Sequence, residues 1–317
     1  MNRSKQLTDG ALLSAIYIVL LIISIFTPFI FIIFLFLLPI PFIFYAVKHG
    51  IKASLLMIVV TLLISLMIIP IVSIPLTVLA AAGGTMIGIA INQKRNVYEV
   101  WARGTIGFIL GIIFIFVFTQ FILQVNITNE IDLAIDESME TTEYILTQFT
   151  VGTDISEQLD VMREQINMVK YLIPASIAIL SIFLAFVSQW LSFKLLNRIE
   201  RTHLFFPPFK NLNVPFIVIW IYLVAMLLSL VDISPESTLY LVVVNTYVLT
   251  AFLIIIQGFS FIFFYADYKK LHKSIPIAIV VLSLIIPNIF LVLIRIIGII
   301  DIGFSLKKRI LHSSNKK

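Results

Sequence analysis

The chain has 317 residues, of which 60% are hydrophobic and only 12% are charged, and its mean hydropathy is +1.09. This composition excludes a soluble globular enzyme, a disordered protein and a nucleic-acid-binding domain. It predicts an all-α, polytopic transmembrane helix bundle of about eight to ten spans in contact with the lipid bilayer, because a span uses roughly 20 apolar residues.

The net charge of +5 indicates membrane orientation, and nucleic acid is not an expected partner. Lysine and arginine gather in short segments between apolar runs, with Arg163, Lys170 and Arg295 as the exceptions. This bias follows the positive-inside rule, so we expect a multi-pass protein of the bacterial plasma membrane with both termini in the cytoplasm. The absence of cysteine excludes disulfides and thiolate metal sites.

The first apolar run extends from Ala11 to Val47, which is too long for a single span. Thr27-Pro28 breaks it into two, and basic residues mark the loops that follow. These breaks predict an amino-terminal membrane bundle over residues 1–125. Its predicted spans are residues 11–27, 29–47, 51–69, 74–91 and 104–125.

Residues 126–170 form the largest segment outside the predicted spans, and acidic residues are concentrated there. Asp154 marks a helix start, and Gly152 separates that helix from an earlier one at about 131–149. We expect an extracytoplasmic helical hairpin. It is either a solvated cap over the bundle or a docking element for a partner or ligand.

A carboxy-terminal membrane bundle is predicted over residues 171–317, ending in a basic cytoplasmic tail. Its first three spans are expected at residues 171–193, 214–230 and 239–265. The last apolar stretch, residues 275–306, is read as a hairpin broken at Pro287-Asn288, which returns the basic tail to the cytoplasm. A re-entrant hairpin and a single long tilted span are the alternatives.

No enzyme motif is present: the sequence has no phosphate-binding loop, no HExxH and no GxSxG. The four histidines (His49, His203, His272 and His312) lie beside basic residues, where interfacial or solvated positions are expected. We therefore expect a protein that is not an enzyme and has no catalytic residue, no cofactor and no metal site.

Polar residues inside apolar spans are the strongest candidates for function, because hydrocarbon cannot satisfy their hydrogen bonds. These candidates are Asn245, Gln257, Arg295 and Asp301. Asp301 follows Arg295 by six residues and lies on a different helix face, so the two are not expected to pair. The four side chains either bridge helices or line a ligand or ion site.

Small residues form a second group of candidates, because they permit close approach of helices. Ala11 and Ala15 are spaced by four on the first span, and Gly83, Gly84 and Gly88 lie on the fourth. Both groups are predicted either to pack within the bundle or to contact a further membrane subunit.

The opening segment, residues 7–15 (LTDGALLSA), resembles the start of the substrate-binding S components of energy-coupling-factor vitamin transporters. In those proteins an Ala-xxx-Ala surface contacts the coupling subunit, so the resemblance implies that role for Ala11 and Ala15. The whole chain resembles the YybS family of uncharacterised bacterial membrane proteins. That resemblance rests on Asn245, on Gln257-Gly258 and on Gly298-xx-Asp301-xx-Phe304 followed by residues 307–309 (KKR).

Two functions are consistent with these observations. The first is a solute-binding or transport-related membrane protein, with a polar cavity for a small molecule. The second is a non-enzymatic envelope scaffold or regulatory protein that acts through membrane-protein partners.

Overall fold

The computed structural model describes residues 3–149, 156–235 and 237–314, and within these ranges the chain is helical with no β-strand. The predicted all-α class is therefore confirmed. The helices are α1 (Arg3–Phe26), α2 (Phe31–Leu37), α3 (Ile40–Ile68), α4 (Ser73–Asn92), α5 (Val97–Phe121), α6 (Ile127–Phe149), α7 (Ser156–Val169), α8 (Ile173–Ile199), α9 (Ile217–Leu228), α10 (Thr238–Tyr268), α11 (Ser274–Ile285), α12 (Pro287–Phe304) and α13 (Leu306–Ser314).

Seven segments of the described chain are long and apolar enough to cross a membrane. They are Arg3–Phe26, Phe31–Ile68, Ser73–Asn92, Val97–Phe121, Lys170–Ile199, Thr238–Tyr268 and Pro287–Phe304. The helices α9 and α11 are also apolar but have only 12 residues each. This arrangement is that of a polytopic helical membrane protein.

The chain forms two compact units, and their boundaries differ from the predicted ones. The amino-terminal unit contains Met1–Asn167 and Ile177–Phe206, and the carboxy-terminal unit contains Met168–Ser176 and Pro207–Lys317. Most of α8 therefore belongs with the first five helices, whereas the sequence suggested a carboxy-terminal bundle beginning at residue 171. Buried contacts of α8, which a hydropathy pattern does not show, determine this grouping.

In the amino-terminal unit, α3 consists of two halves that meet at Gly50, whose φ of 72° lies in the left-handed region. Residues before Gly50 run parallel to α4, because Gly88 lies against Ile43 and the Asn92 side chain donates to the Val47 carbonyl (2.7 Å). After Gly50 the direction reverses, and Ser65 near the far end of α3 accepts from Thr77 at the start of α4. The two predicted spans at 29–47 and 51–69 are thus separate passes.

Two local boundaries of this unit differ from the predictions. The span expected at 29–47 is interrupted by a turn at Leu38-Pro39, between α2 and α3. The fifth span begins earlier than expected, at Val97, because the Asn96 side chain caps the helix by accepting from the backbone N–H of Glu99 (2.8 Å).

The apolar core of the amino-terminal unit lies where α1, both halves of α3 and α4 meet, and it continues towards α5 and α8. Its largest fully buried side chains include Tyr17, Phe42 and Phe108. A group of buried hydroxyls lies within it: Ser14 bonds Thr61 (2.8 Å), and Tyr17 donates to Thr77 (2.9 Å). These bonds satisfy polar groups that hydrocarbon would leave unpaired.

The segment between α5 and α8 contains two amphipathic helices, α6 and α7. An exposed ion pair joins them, with the Arg163 guanidinium 2.6 Å from the Asp136 carboxylate. The predicted break and helix start at Gly152 and Asp154 lie outside the described residues. The helices α6 and α7, which precede and follow these residues, have the order in the chain that the predicted hairpin requires.

In the carboxy-terminal unit, α10 and α12 run parallel. The contacts advance along both helices, from Tyr247 with Arg295, to Gln257 with Asp301, to Ser260 with Lys307 just beyond α12. Because consecutive parallel helices need a return pass, α11 runs back between them, and the break is at Ile286-Pro287. This geometry is the favoured hairpin, and it differs from a single long tilted helix.

Candidate functional site

The two glycines at the crossing of α10 and α12 bring the polar residues of these helices together. A Cβ added at Gly258 would collide with the Ile294 carbonyl, and one at Gly298 would collide with the Ile254 carbonyl. Only glycine permits this separation of the backbones. The crossing places Gln257 opposite Asp301, both fully or almost fully buried.

Gln257 connects three parts of the carboxy-terminal unit. Its Nε2 donates to Asp301 Oδ2 (2.5 Å), and its Oε1 accepts from the backbone N–H of Val214, just before α9 (2.9 Å). Gln257 therefore aligns α10, α12 and the entry to α9. The sequence marked both Gln257 and Asp301 as candidates, and the structure brings these two together.

Lys307 completes the buried cluster, and the sequence prediction did not include it. Ser305 has a left-handed backbone (φ 48°) and ends α12, so the chain turns and the backbone N–H of Lys307 donates to Asp301 Oδ1 (3.2 Å). The Lys307 ammonium donates to Ser260 Oγ (2.7 Å) and the Leu212 carbonyl (2.8 Å), and it lies 3.8 Å from Asp301 Oδ2. The sequence predicts Lys307 as part of a basic tail, and only the turn at Ser305 brings it inwards.

Burial lowers the pKa of the Lys307 ammonium below its ordinary value, while the negative charge of Asp301 opposes that shift. Two acceptors, the Ser260 hydroxyl and the Leu212 carbonyl, lie within hydrogen-bond distance of the ammonium, and the Asp301 carboxylate lies 3.8 Å away. The charged form is therefore held by neighbours even though water is largely excluded.

A cavity of about 220 Å³ adjoins this cluster. Its walls are formed by Asn213, Val214, Phe216, Gln257, Asp301, Ile302, Ser305, Lys307 and Lys308. Charged and amide groups alternate with apolar ones, as in small-molecule sites. In the described part of the chain, the Lys308 ammonium makes no ion pair, so one positive charge remains available to the cavity.

Asn245 lies elsewhere on α10 and bridges to the start of α8. Its side chain donates to the Tyr171 carbonyl (2.7 Å) and accepts from the backbone N–H of Ala175 (2.8 Å). It also donates to the Leu241 carbonyl in its own helix. Each of these three hydrogen bonds joins the side chain to a backbone group, and two of them bridge α10 to the start of α8.

Arg295 is half-buried and lies beside two tyrosines. Its guanidinium donates to Tyr247 Oη (3.0 Å) and lies 5.9 Å and 6.0 Å from the ring centres of Tyr222 and Tyr247. Cation–π contacts of this kind stabilise a charge at depth. Asp301 does not pair with Arg295, as its helix position indicated. Neither Arg295 nor Asn245 lines the polar cavity.

The small residues divide into two groups. Gly84 and Gly88 are buried, and an added Cβ would lie 2.5 Å from the Pro39 carbonyl oxygen and 2.6 Å from Ala46 Cβ respectively. Gly83 is packed against the Phe108 ring in the same way. Ala11 and Ala15 are instead exposed on α1. The alternative in which these two alanines pack within the bundle is therefore wrong. Ser14 and Tyr17 form the buried face of α1 instead.

A charged cluster in the amino-terminal unit was missed by sequence reasoning. Asp9 Oδ2 lies 2.8 Å from Lys48 Nζ and 2.9 Å from His49 Nε2, and the His49 side chain is only 4% exposed. An interfacial or solvated position is expected for His49, and the structure buries its side chain rather than leaving it solvated. The sequence signal for this cluster was Asp9 near the start of the first predicted span, together with the basic pair Lys48 and His49 at the end of the second.

No group of three or more histidine, aspartate or glutamate residues in the described chain is placed to hold a metal ion. The candidate site consists of hydrogen-bonding and charged side chains at the junction of α10, α12 and α13.

Together, the apolar helices, the short turns and the buried polar cluster define a polytopic α-helical membrane protein. Residues 15–302 match the family described as "Predicted membrane protein (DUF2232)", and the chain belongs to that family. It is 29% identical over 310 residues to "Uncharacterized protein YybS" of Bacillus subtilis (strain 168), covering 98% of this chain and 100% of that protein. No solved structure matches the chain.

Proposed function

We propose that the protein binds a small polar solute in the cavity between α10, α12 and α13, in a transport-related role. The observation that carries this proposal is the pairing of Asp301 and Lys307, two buried charges that border an open cavity. Charges at such positions are typical of solute or ion pathways in membrane proteins.

The cavity chemistry favours a small anionic or zwitterionic solute. Asp301 and Lys307 neutralise each other, so Lys308 supplies the free charge, while Asn213 and Ser305 add hydrogen-bonding groups. The volume of about 220 Å³ is smaller than that of most drug-sized pockets, which restricts the solute to a small molecule. A second cavity, of about 250 Å³ in the amino-terminal unit, is lined only by apolar side chains and offers no comparable recognition.

Native mass spectrometry of the protein in native-membrane nanodiscs tests this proposal. We expect a small molecule to remain bound to the unmodified protein and to be lost from Lys308→Gln. Arg309→Gln is the matched control, because it removes the same charge from a residue that contacts Phe304 and does not line the cavity. Retention by Lys308→Gln, or absence of any bound solute in the unmodified protein, would contradict the proposal.

The proposal includes the orientation of the chain, with both termini in the cytoplasm. The clustering of lysine and arginine between apolar segments supports it. In this orientation the polar cavity opens at the cytoplasmic ends of α10 and α12. The solute therefore enters from, or leaves to, the cytoplasmic side.

A role in contacting another membrane protein is the second candidate, and the exposure of Ala11 and Ala15 favours it. Small residues on an exposed helix face permit close approach of another helix, and the S-component likeness of the opening segment supports the same contact. Crosslinking in membranes tests this role. The double variant Ala11→Leu with Ala15→Leu should abolish the crosslink to the partner. The control Ile16→Leu, at another exposed position of α1, should retain the crosslink.

A further inference from the structure

A second cavity in the carboxy-terminal unit lies where α10 ends and α11 begins. It has a volume of about 450 Å³, within the range of small-molecule sites. Its walls are formed by Pro208, Phe209, Lys210, Phe263, Ala266, Asp267, Lys270, Leu271, Lys273, Pro276 and Ile277. None of these residues contributes to the Asp301 cavity.

One ion pair and one ring contact hold the walls of this cavity together. The Lys210 ammonium lies 2.6 Å from the Asp267 carboxylate, and the Phe209 and Phe263 rings meet edge to face at 5.6 Å. Ser260 also donates to the Phe209 carbonyl (2.7 Å). The segment before α9 is therefore fixed against α10, and the cavity is a built feature of the fold.

The charge of the cavity is unbalanced. Asp267, its one carboxylate, is engaged by Lys210, whereas Lys270 and Lys273 have no ion-pair partner among the residues that the structure describes. Two lysines without an ion-pair partner thus line the cavity, and its one carboxylate is already engaged. An anionic group is the occupant that this arrangement recognises.

The apolar side chains show what is attached to that anionic group. Phe263 lies in the apolar helix α10, and Pro276 and Ile277 lie in the shorter apolar helix α11. Lys270 and Lys273 lie in the short turn between these helices. A ligand that contacts both the lysines and these apolar side chains has a charged head group and an apolar body. Basic pockets between transmembrane helices are known to hold the head groups of anionic lipids.

We propose that this cavity binds the phosphate-bearing head group of one anionic phospholipid, with Lys270 and Lys273 as the contacts to phosphate. The apolar walls contact the first methylenes of the acyl chains. This site is separate from the solute site, so either proposal can fail without the other.

Lipid retention measured by native mass spectrometry in detergent tests the site. The probes are phosphatidylglycerol and phosphatidylcholine, added at equal concentration. We expect one phosphatidylglycerol to be retained in preference to phosphatidylcholine. Lys270→Gln with Lys273→Gln should weaken that binding roughly 20- to 30-fold, since each lysine contributes about fivefold near an anionic head group.

The matched control is Lys269→Gln with Arg309→Gln, which removes two charges at the same end of the unit without altering the cavity lining. A second variant, Ile277→Trp, fills the rim while keeping every charge, and it should also reduce retention. Equal loss in the control, or equal retention of both lipids, would overturn the proposal. Glycerol 3-phosphate that binds as tightly as the lipid would overturn it too, by assigning the site to a soluble phosphate ester.

Discussion

At the residue scale, charged side chains of this membrane protein are stabilised by partners on other helices. Asp301 is reached by Gln257 from α10 and by Lys307 from beyond the end of α12. Asp9 is reached in the same way by Lys48 and His49 at the end of the second pass. Each cluster links helices that hydrophobic packing alone would not hold in register, because lipid is as apolar as the helix surfaces.

Asp301 and Lys307 are expected to show strong energetic coupling. Asp301→Asn or Lys307→Met alone should destabilise the protein by about 3–5 kcal/mol, because each leaves a buried charge without its partner. The double variant should be destabilised much less than the sum of the two. Thermal unfolding of the four proteins in one detergent measures the coupling, and additive losses would contradict it.

The Asp9 cluster should contribute a smaller amount of stability, because Lys48 is 38% exposed and water screens its charge. Asp9→Asn is expected to destabilise by about 1–2 kcal/mol, most of it from the partly buried hydrogen bond to His49. A chemical-denaturation series with Asp9→Asn, His49→Gln and the double variant measures this. If neither His49→Gln nor Asp9→Asn lowered the free energy of unfolding, the cluster would have no structural role.

Polar residues were predictable as candidates from the sequence, but most of their partners were not. Asn245, Gln257 and Asp301 stand out because they interrupt apolar runs. Lys307 does not stand out, because it lies among other basic residues and is brought inwards only by the left-handed turn at Ser305. Pairing across the 44 residues between Gln257 and Asp301 depends on a helix crossing that periodicity does not reveal.

At the element scale, glycine at two positions permits the α10–α12 crossing on which the polar cluster depends. Gly258 of α10 packs against Ile294 of α12, and Gly298 of α12 packs against Ile254 of α10. The sequence predicted the apolar lengths and the hairpin break, because charge clusters and prolines mark chain reversals. It did not predict that α8 joins the amino-terminal unit or that α2 ends at Leu37, since both depend on packing.

Alanine at these two glycines should separate the helices. Gly258→Ala and Gly298→Ala are each expected to destabilise by about 1–3 kcal/mol, even though alanine favours helix, because the added Cβ meets backbone. Gly303→Ala is the matched control: its nearest neighbour would be Ile219 Cδ1 at 3.8 Å, so we expect no loss. Melting temperatures compare the three variants. Equal values would show that the crossing is looser than described.

At the scale of the whole molecule, the parallel course of α10 and α12 decides where function can lie. With α11 as the return pass, the turn at residues 269–273 and the α13 segment lie on the same side of the membrane. Both cavities of the carboxy-terminal unit, the polar one and the basic one, then open at that side. A single long final helix would separate Asp301 from Gln257 and would remove the proposed solute site.

Cysteine labelling with a membrane-impermeant maleimide tests this arrangement most directly, because the sequence contains no cysteine and so gives no background. Single replacements at His272 and His312 mark the turn after α10 and the α13 segment, and those at Ser234 and Asn288 mark the opposite ends of the helices. We expect His272→Cys and His312→Cys to be labelled from the same side, and Ser234→Cys and Asn288→Cys from the other. Labelling of positions 272 and 312 from opposite sides would contradict the fold of this unit and both sites within it.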